Sequence, residues 1–190
     1  MTVFTIGHSV HPIDLFVGLL QGAGVTALAD VRSVPFSRFQ PQFNRPALRQ
    51  ALADAKIAYV FLGDELGARS KDPDCYEDGR IQYPRLAKTA LFQAGIDRVL
   101  RGKAEYSVAL MCAEKEPLEC HRTLLVAREL DERGVPVVHL HADEDHESHA
   151  AAMFRLRARL GHPAFDLFRS EEELREEAYK AQAVRFSYKK

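Results

Sequence analysis

Between Leu110 and Leu125 the chain reads LMCAEKEPLECHRTLL, which sets two cysteines, several acids, a histidine and an arginine between two apolar runs. Each of these side chains has chemistry to offer. Glu114, just past an apolar run, is a candidate general acid if partial burial raises its pKa. Arg122 falls in the first turn of a helical pattern, where unpaired backbone N–H groups attract anions and a guanidinium adds a bidentate grip; His121 precedes it. Cys112 could serve as a nucleophile if a nearby cation depresses its pKa. The competing reading of Cys112 is a small buried thiol, because AEKEPLE follows it. A cysteine–arginine phosphatase loop or a rhodanese-like loop would need a glycine-rich turn with an early arginine. Cys120 is assigned a supporting role.

Two further clusters follow apolar runs. The first is Gly7-His8-Ser9, where His8 is a candidate proton-transfer partner for Glu114 and Ser9 a positioning donor. The second is Asp30-Val31-Arg32. Asp30 interrupts an apolar strand, so it is expected to hold a structural partner such as Arg32 or His8. From Arg32 to Arg49 there are four arginines (Arg32, Arg38, Arg45, Arg49), three phenylalanines (Phe36, Phe39, Phe43) and no acids. Arginines interleaved with aromatics suit a nucleotide or single strand, with Arg32 and Arg38 as binding residues. At least one phenylalanine is expected to tuck into the core.

A metal is not the expected reading of Cys112, Cys120 and His121, and no cofactor is expected. The cysteines lack C-x-x-C pairing, and adjacency of Cys120 and His121 makes convergence on one ion awkward. The later HLHADEDHESH tract places His139 and His141 on one strand face with Asp143 and Glu144 beyond, and reads mainly as a strand entering a polar loop.

The elements that must position these groups are legible from periodicity. Five nearly continuous apolar runs, Val3–Ile6, Val25–Val31, Ile57–Leu62, Tyr106–Cys112 and Pro136–Leu140, read as strands covered on both faces. Helical spacing follows Pro12, Pro46 and Pro84. The Pro84 helix runs to Gly102 with Gly95 inside it, at a cost of about 1 kcal/mol. A fourth helix is expected from His121 to Arg133, stopping at Gly134. Strand and helix alternate, which predicts a single three-layer α/β/α domain with a mostly parallel five-stranded, Rossmann-like sheet over about 1–142. Ala150–Leu160 and Ser170–Ala183, the latter with a Ser170/Glu173 capping box, predict a helical tail over about 148–190. In such a sheet ligands bind beyond the carboxyl ends of the strands, where the reactive clusters lie.

The ordered set TIGHS, DVRSVPFSRF, QFN, LGDELG, LMCAE and ECHR resembles the domain-of-unknown-function family numbered 488, over nearly the whole chain including AYKAQAVRFSY. The chain departs from it at Ala68, where such proteins often carry a second glycine. The resemblance implies an α/β domain and brings no activity.

Composition narrows the function. The chain has 190 residues, is 46% hydrophobic and 28% charged, and carries a net charge of −1, which argues against bulk electrostatic coating of nucleic acid or membrane. No apolar run reaches the roughly 20 residues of a membrane span, and MTVFTIGHS does not read as a signal peptide. Three cysteines make no disulfide framework, so a reducing, cytoplasmic setting is expected. The first turn, GHSVHP, lacks G-x-G-x-x-G, which favours hydrolysis or group transfer over dinucleotide redox chemistry. The expectation is an enzyme acting on a small anionic or nucleotide-like substrate, with nucleic acid as a further partner and no membrane. The alternatives are a non-catalytic nucleotide or nucleic-acid binding module, and a thiol or metal sensor on Cys112 and Cys120.

Overall fold

The computed structural model describes residues 1–143, 145–163 and 166–190. Strand β1 (Val3–Gly7) leads into α1 (Ile13–Gly22), β2 (Ala27–Asp30), α2 (Arg45–Asp54) and β3 (Ala58–Phe61). A short helix α3 (Gly63–Leu66), a ribbon of β4 (Tyr76–Glu77) and β5 (Arg80–Ile81), and helices α4 (Tyr83–Ala87) and α5 (Ala90–Gly102) precede β6 (Val108–Cys112). A π-helical turn (Arg122–Ala127) then runs into α6 (Arg128–Glu132), β7 (Val137–Leu140), β8 (His146–Ser148), α7 (His149–Arg159) and α8 (Glu171–Phe186). No helix among the described residues is long and apolar enough to cross a membrane.

All five expected strands form, and they lie parallel in the order β3-β2-β6-β1-β7. A sixth strand, β8, adds antiparallel to β7. The five-stranded expectation is thereby corrected. The short segment His146–Ser148 is polar and solvated on its outer side, so no apolar run announced it, and pairing of Val138 with Ser148 and Leu140 with His146 defines it instead.

Alternation along the strands divides the interior into two layers. Ile6, Leu28, Ala109, Met111 and Leu140 face α1 and α2, where Phe16, Leu20, Leu48 and Leu52 cover them. Val3, Ala29, Leu110, Cys112 and Val137 face the other helices, meeting Leu66, Phe92, Ile96, Leu124 and Ala178. The three-layer arrangement follows directly from this two-sided apolar pattern.

Two helices differ from their expected form. Thr89 accepts from the backbone N–H of Phe92 and caps α5, so the single helix expected after Pro84 is two. Gly95 proves to be a packing residue, since a Cβ there would come within 2.7 Å of Glu65 Cβ on α3. The helix expected from His121 begins with a wider π turn whose six residues are all buried. Gly134, at φ +71°, ends it in the left-handed region as expected.

The C-terminal segment is tied to the main sheet through β8 and to the β4–β5 ribbon through its last residues. Besides β8, its Tyr188 carbonyl accepts from Ile81 N–H at 2.9 Å, and Lys190 N–H donates to Gly79 O at 2.8 Å. The Ser170/Glu173 capping box is present. Beneath it, a buried polar chain crosses four elements: Thr5 Oγ1 to His139 Nδ1 at 2.7 Å, His139 Nε2 to His149 Nδ1 at 3.1 Å, and His149 Nε2 to Tyr179 Oη at 2.6 Å. The HLHADEDHESH tract is thus divided. His139 is buried in this chain, while His141 pairs outside it with Glu147 at 3.1 Å; Glu144 lies outside the described residues.

Burial lowers the pKa of His149 to about 4, helped by Arg175 and opposed by Asp131 and Glu147; burial also lowers His139 well below its ordinary value. The unfolded rings take up protons first as pH falls, so stability is lost from about pH 6.5 down to about pH 4. Between pH 7 and pH 5, His149 alone is expected to remove about 2 kcal/mol. Urea unfolding at several pH values checks this: His149→Gln is expected to flatten the slope by about one proton. An unchanged slope would show that His149 titrates normally in the fold.

Candidate functional site

The placement of β6 between β1 and β2 brings three strand tips side by side. His8 N–H donates to Cys112 O at 2.9 Å, Ser9 N–H to Ala113 O at 2.9 Å, and Val31 N–H to Met111 O at 3.0 Å. Beyond these tips lies a cavity of about 420 Å³, within the size range of small-molecule sites. His8, Arg32, Cys112, Glu114, Cys120 and His121 all line it. So do Arg69, Tyr83, Phe186 and Tyr188, from the loop after α3, from α4 and from the C-terminal segment.

Glycine at position 7 is required for the close approach of β1 and the β6 loop. A Cβ on Gly7 would fall 1.8 Å from Glu114 O, a backbone atom that cannot swing aside. Ser9, two residues on, takes φ +46°, a left-handed conformation that costs a non-glycine residue free energy and turns the chain sharply out of the strand.

Arg32 and Asp30 form a buried ion pair. Arg32 Nε donates to Asp30 Oδ1 at 2.9 Å and Nη2 to Oδ2 at 2.6 Å, while Nη2 also donates to Phe43 O at 2.9 Å. Tyr59 Oη donates to Asp30 Oδ2 at 2.9 Å. His8 Nδ1–H donates to Ser9 O at 2.9 Å, which leaves its Nε2 to accept from Arg32 Nη1 at 3.2 Å. The ring stacks on Phe43, with centroids 4.4 Å apart. Burial lowers the His8 pKa to about 4, and the adjacent Arg32 charge acts in the same direction against the Ser9 hydrogen bond. His8 is therefore a neutral ring orienting Arg32, with its acceptor nitrogen already engaged. Of the five N–H bonds of the Arg32 guanidinium, one on Nη1 has no partner among the described residues, and it is on the residue that lines the cavity.

Arg122 is placed differently from the sequence expectation. It is 1% exposed and does not line the cavity. Its Nη1 donates to Glu114 O at 2.7 Å and its Nη2 to Lys115 O at 3.1 Å, so the guanidinium ties down the β6 loop rather than facing a ligand. The reason is topological: the turn that begins at Arg122 packs directly behind that loop, and two backbone carbonyls without strand partners point at it. Ser9 and Arg38 also lie outside the cavity wall. Arg38 stacks over Phe39 at 5.0 Å, with that ring exposed. Phe43 is the phenylalanine that enters the core, while Phe36 remains 66% exposed at the cavity rim.

On the wall formed by β6 and the π turn, four donor atoms converge. Those of Cys112, Glu114, Cys120 and His121 all lie within 4.8 Å of one another. Cys112 Sγ is 3.6 Å and Cys120 Sγ 3.9 Å from His121 Nδ1, and Cys120 Sγ is 2.9 Å from Glu114 Oε2. Adjacency of Cys120 and His121, which made convergence look awkward, does not keep their donor atoms apart. Cys120 has extended backbone (φ −134°, ψ 142°) and His121 helical (φ −61°, ψ −25°), and the change between them swings both side chains to one side. Burial raises Cys112 well above the ordinary thiol range, and Cys120 and Glu114 add to the rise. Burial also acts upward on Cys120, but donation from Cys112 and the charges of Arg122 and His121 outweigh it, and its pKa falls. Glu114 is exposed as a residue, yet desolvation of its carboxyl against the cavity wall and the Cys120 sulfur act together to raise it. Cys120 is thus the acidic thiol of the pair, a stronger chemical feature than its sequence position suggested.

A family model described as a domain of unknown function, DUF488, matches residues 12–128, more than half of the chain. The chain belongs to the DUF488 family. No curated protein and no solved structure matches it. The matched stretch of this DUF488 domain spans α1 to the π turn and carries Arg32, Cys112, Glu114, Cys120 and His121, whereas His8, Phe186 and Tyr188 reach the cavity from outside it. Phe186 and Tyr188 fall within AYKAQAVRFSY, one of the stretches that carry the family resemblance, but nothing in that stretch placed them at the cavity.

Asp30→Ala would leave the Arg32 guanidinium buried without its carboxylate, at an expected cost of about 3–5 kcal/mol in unfolding free energy. Urea denaturation measures it, and a cost below about 1 kcal/mol would show that Arg32 is not held by this pair.

Proposed function

We propose that the protein is a hydrolase or group-transfer enzyme for a small anionic, nucleotide-like substrate bound at the carboxyl edge of the sheet. The observation that carries this reading is the place of Glu114, whose carboxyl lies at the wall of a cavity of about 420 Å³ with Oε2 2.9 Å from Cys120 Sγ, where desolvation and that sulfur act to raise its pKa. A carboxylic acid shifted toward neutral pH is suited to give a proton to a leaving group and take one back. The free N–H of Arg32 and the guanidinium of Arg69, which stacks over Tyr188 at 4.7 Å, supply donors for an anionic group. Phe36 at the rim offers a face on which a planar ring can stack. In this scheme Glu114 moves the proton, Arg32 and Arg69 hold charge, and His8 positions Arg32. Arg122 positions the Glu114 loop from behind.

The non-catalytic alternative draws on the exposed Phe36 and Phe39 with Arg38 beside them, a stacking surface of the kind that holds nucleic-acid bases. The two readings part on one experiment. Nucleoside monophosphates are screened by thermal shift and calorimetry, with turnover followed by chromatography of the products. Glu114→Gln is expected to keep affinity within about 3-fold and to lower kcat by about 100-fold or more. Arg69→Ala is expected to weaken binding about 10-fold at unchanged thermal stability, the equivalent of one charged hydrogen bond. Binding without turnover in the unmutated protein identifies a recognition module, and absence of binding by every nucleotide removes this reading.

A further inference from the structure

The group of Cys112, Cys120 and His121 has the arrangement of a metal site, and this stands on donor geometry whether or not the cavity is catalytic. A tetrahedral zinc ion with sulfur at about 2.3 Å and nitrogen at about 2.0–2.1 Å sets sulfur and nitrogen donors about 3.6 Å apart. The separations from His121 Nδ1 are 3.6 Å to Cys112 Sγ and 3.9 Å to Cys120 Sγ. We propose that Cys112, Cys120 and His121 bind a zinc ion whose fourth position opens to the cavity beside Glu114.

Three surrounding features prepare the donors for this. His121 Nε2–H donates to Val31 O at 3.0 Å, which fixes the tautomer and aims the Nδ1 lone pair at the two sulfurs. Ligating histidines are ordinarily held this way through their second nitrogen. Arg122 N–H donates to Cys120 Sγ at 3.4 Å, and the Arg122 charge favours the thiolate that a metal requires. All three donors are rigidly placed and buried: Cys112 is the last residue of a central strand, and Cys120 and His121 lead into a buried turn. Two thiolates with an imidazole select zinc over magnesium or calcium, which prefer oxygen. Glu114 Oε2, 2.9 Å from Cys120 Sγ, occupies the cavity side of the group. Three protein ligands with the fourth position on the cavity side, where Glu114 can ligate the ion or give way to water, is the pattern of catalytic rather than structural zinc. A bound zinc ion there would make the neighbouring carboxylate the acceptor for a proton from zinc-held water.

The test uses the full chain, reduced and stripped with a chelator, then titrated with zinc chloride against a chromophoric competitor. One equivalent per chain is expected. Cys120→Ser and His121→Ala are each expected to weaken binding by more than about 100-fold, while Cys75→Ser, which changes the thiol outside the group, leaves it unaltered. Two readouts do not depend on a variant folding. Zinc is expected to protect two of the three thiols from modification in the unmutated protein, and cobalt substitution to give thiolate charge-transfer and tetrahedral d–d bands. Substoichiometric zinc, no thiol protection, or binding that survives Cys120→Ser with the fold intact each overturns the proposal. None of these outcomes touches nucleotide binding or the Glu114→Gln comparison, so the two readings fail separately.

Discussion

Backbone hydrogen bonds from both neighbours onto the end of β6 hold the site together. His8 N–H and Val31 N–H reach the carbonyls of Cys112 and Met111 from opposite sides, so the loops after β1 and β2 can move relative to β6 only by breaking the parallel ladder. Because β6 is buried on both faces, water cannot replace those bonds at low cost. His8, Arg32, Cys112 and Glu114 on the cavity wall are hung from this clamp. Gly7 shows how tight it is, since the Glu114 carbonyl occupies the space where a side chain would begin.

Charge is used here mainly as framework. Arg32 is matched to Asp30 in a two-pronged pair and shares one further donor with Phe43 O and another with His8. Arg122 is matched to two loop carbonyls. Buried guanidiniums of this kind contribute little net stability over an apolar replacement, yet they punish any rearrangement that strips a partner. Such groups therefore specify one geometry for the loops carrying Glu114 and His8. The same economy appears in the Thr5–His139–His149–Tyr179 chain, which locks α7 and α8 against the sheet by satisfying four buried polar groups at once.

Against that buried frame the rim is exposed and varied. Phe36 and Phe39 are exposed, Arg38 and Arg69 stack on aromatic rings, and Tyr188 closes the wall from the last residues of the chain. The titratable donors Cys112, Cys120 and His121 thus sit on buried backbone, while aromatic and cationic side chains lie at the more exposed mouth.

Local pattern determined the five parallel strands, their flanking helices, the capping box at Ser170 and the placing of the reactive clusters at strand ends. Apolar runs, prolines and glycines act on neighbours within a few residues, and such effects can be read along a chain. The same holds for Asp30: a carboxylate in an apolar strand needs a partner, and Arg32 supplies it. What only the tertiary structure decided is which distant groups meet. The insertion of β6 between β1 and β2, the turning of Arg122 away from the cavity, the edge strand β8, and the approach of Phe186 and Tyr188 all depend on contacts between segments remote in sequence. The gathering of Cys112, Cys120 and His121 depends on a backbone change between two adjacent residues and on the carbonyl of Val31, 90 positions away. No spacing rule along the sequence encodes a hydrogen bond of that reach.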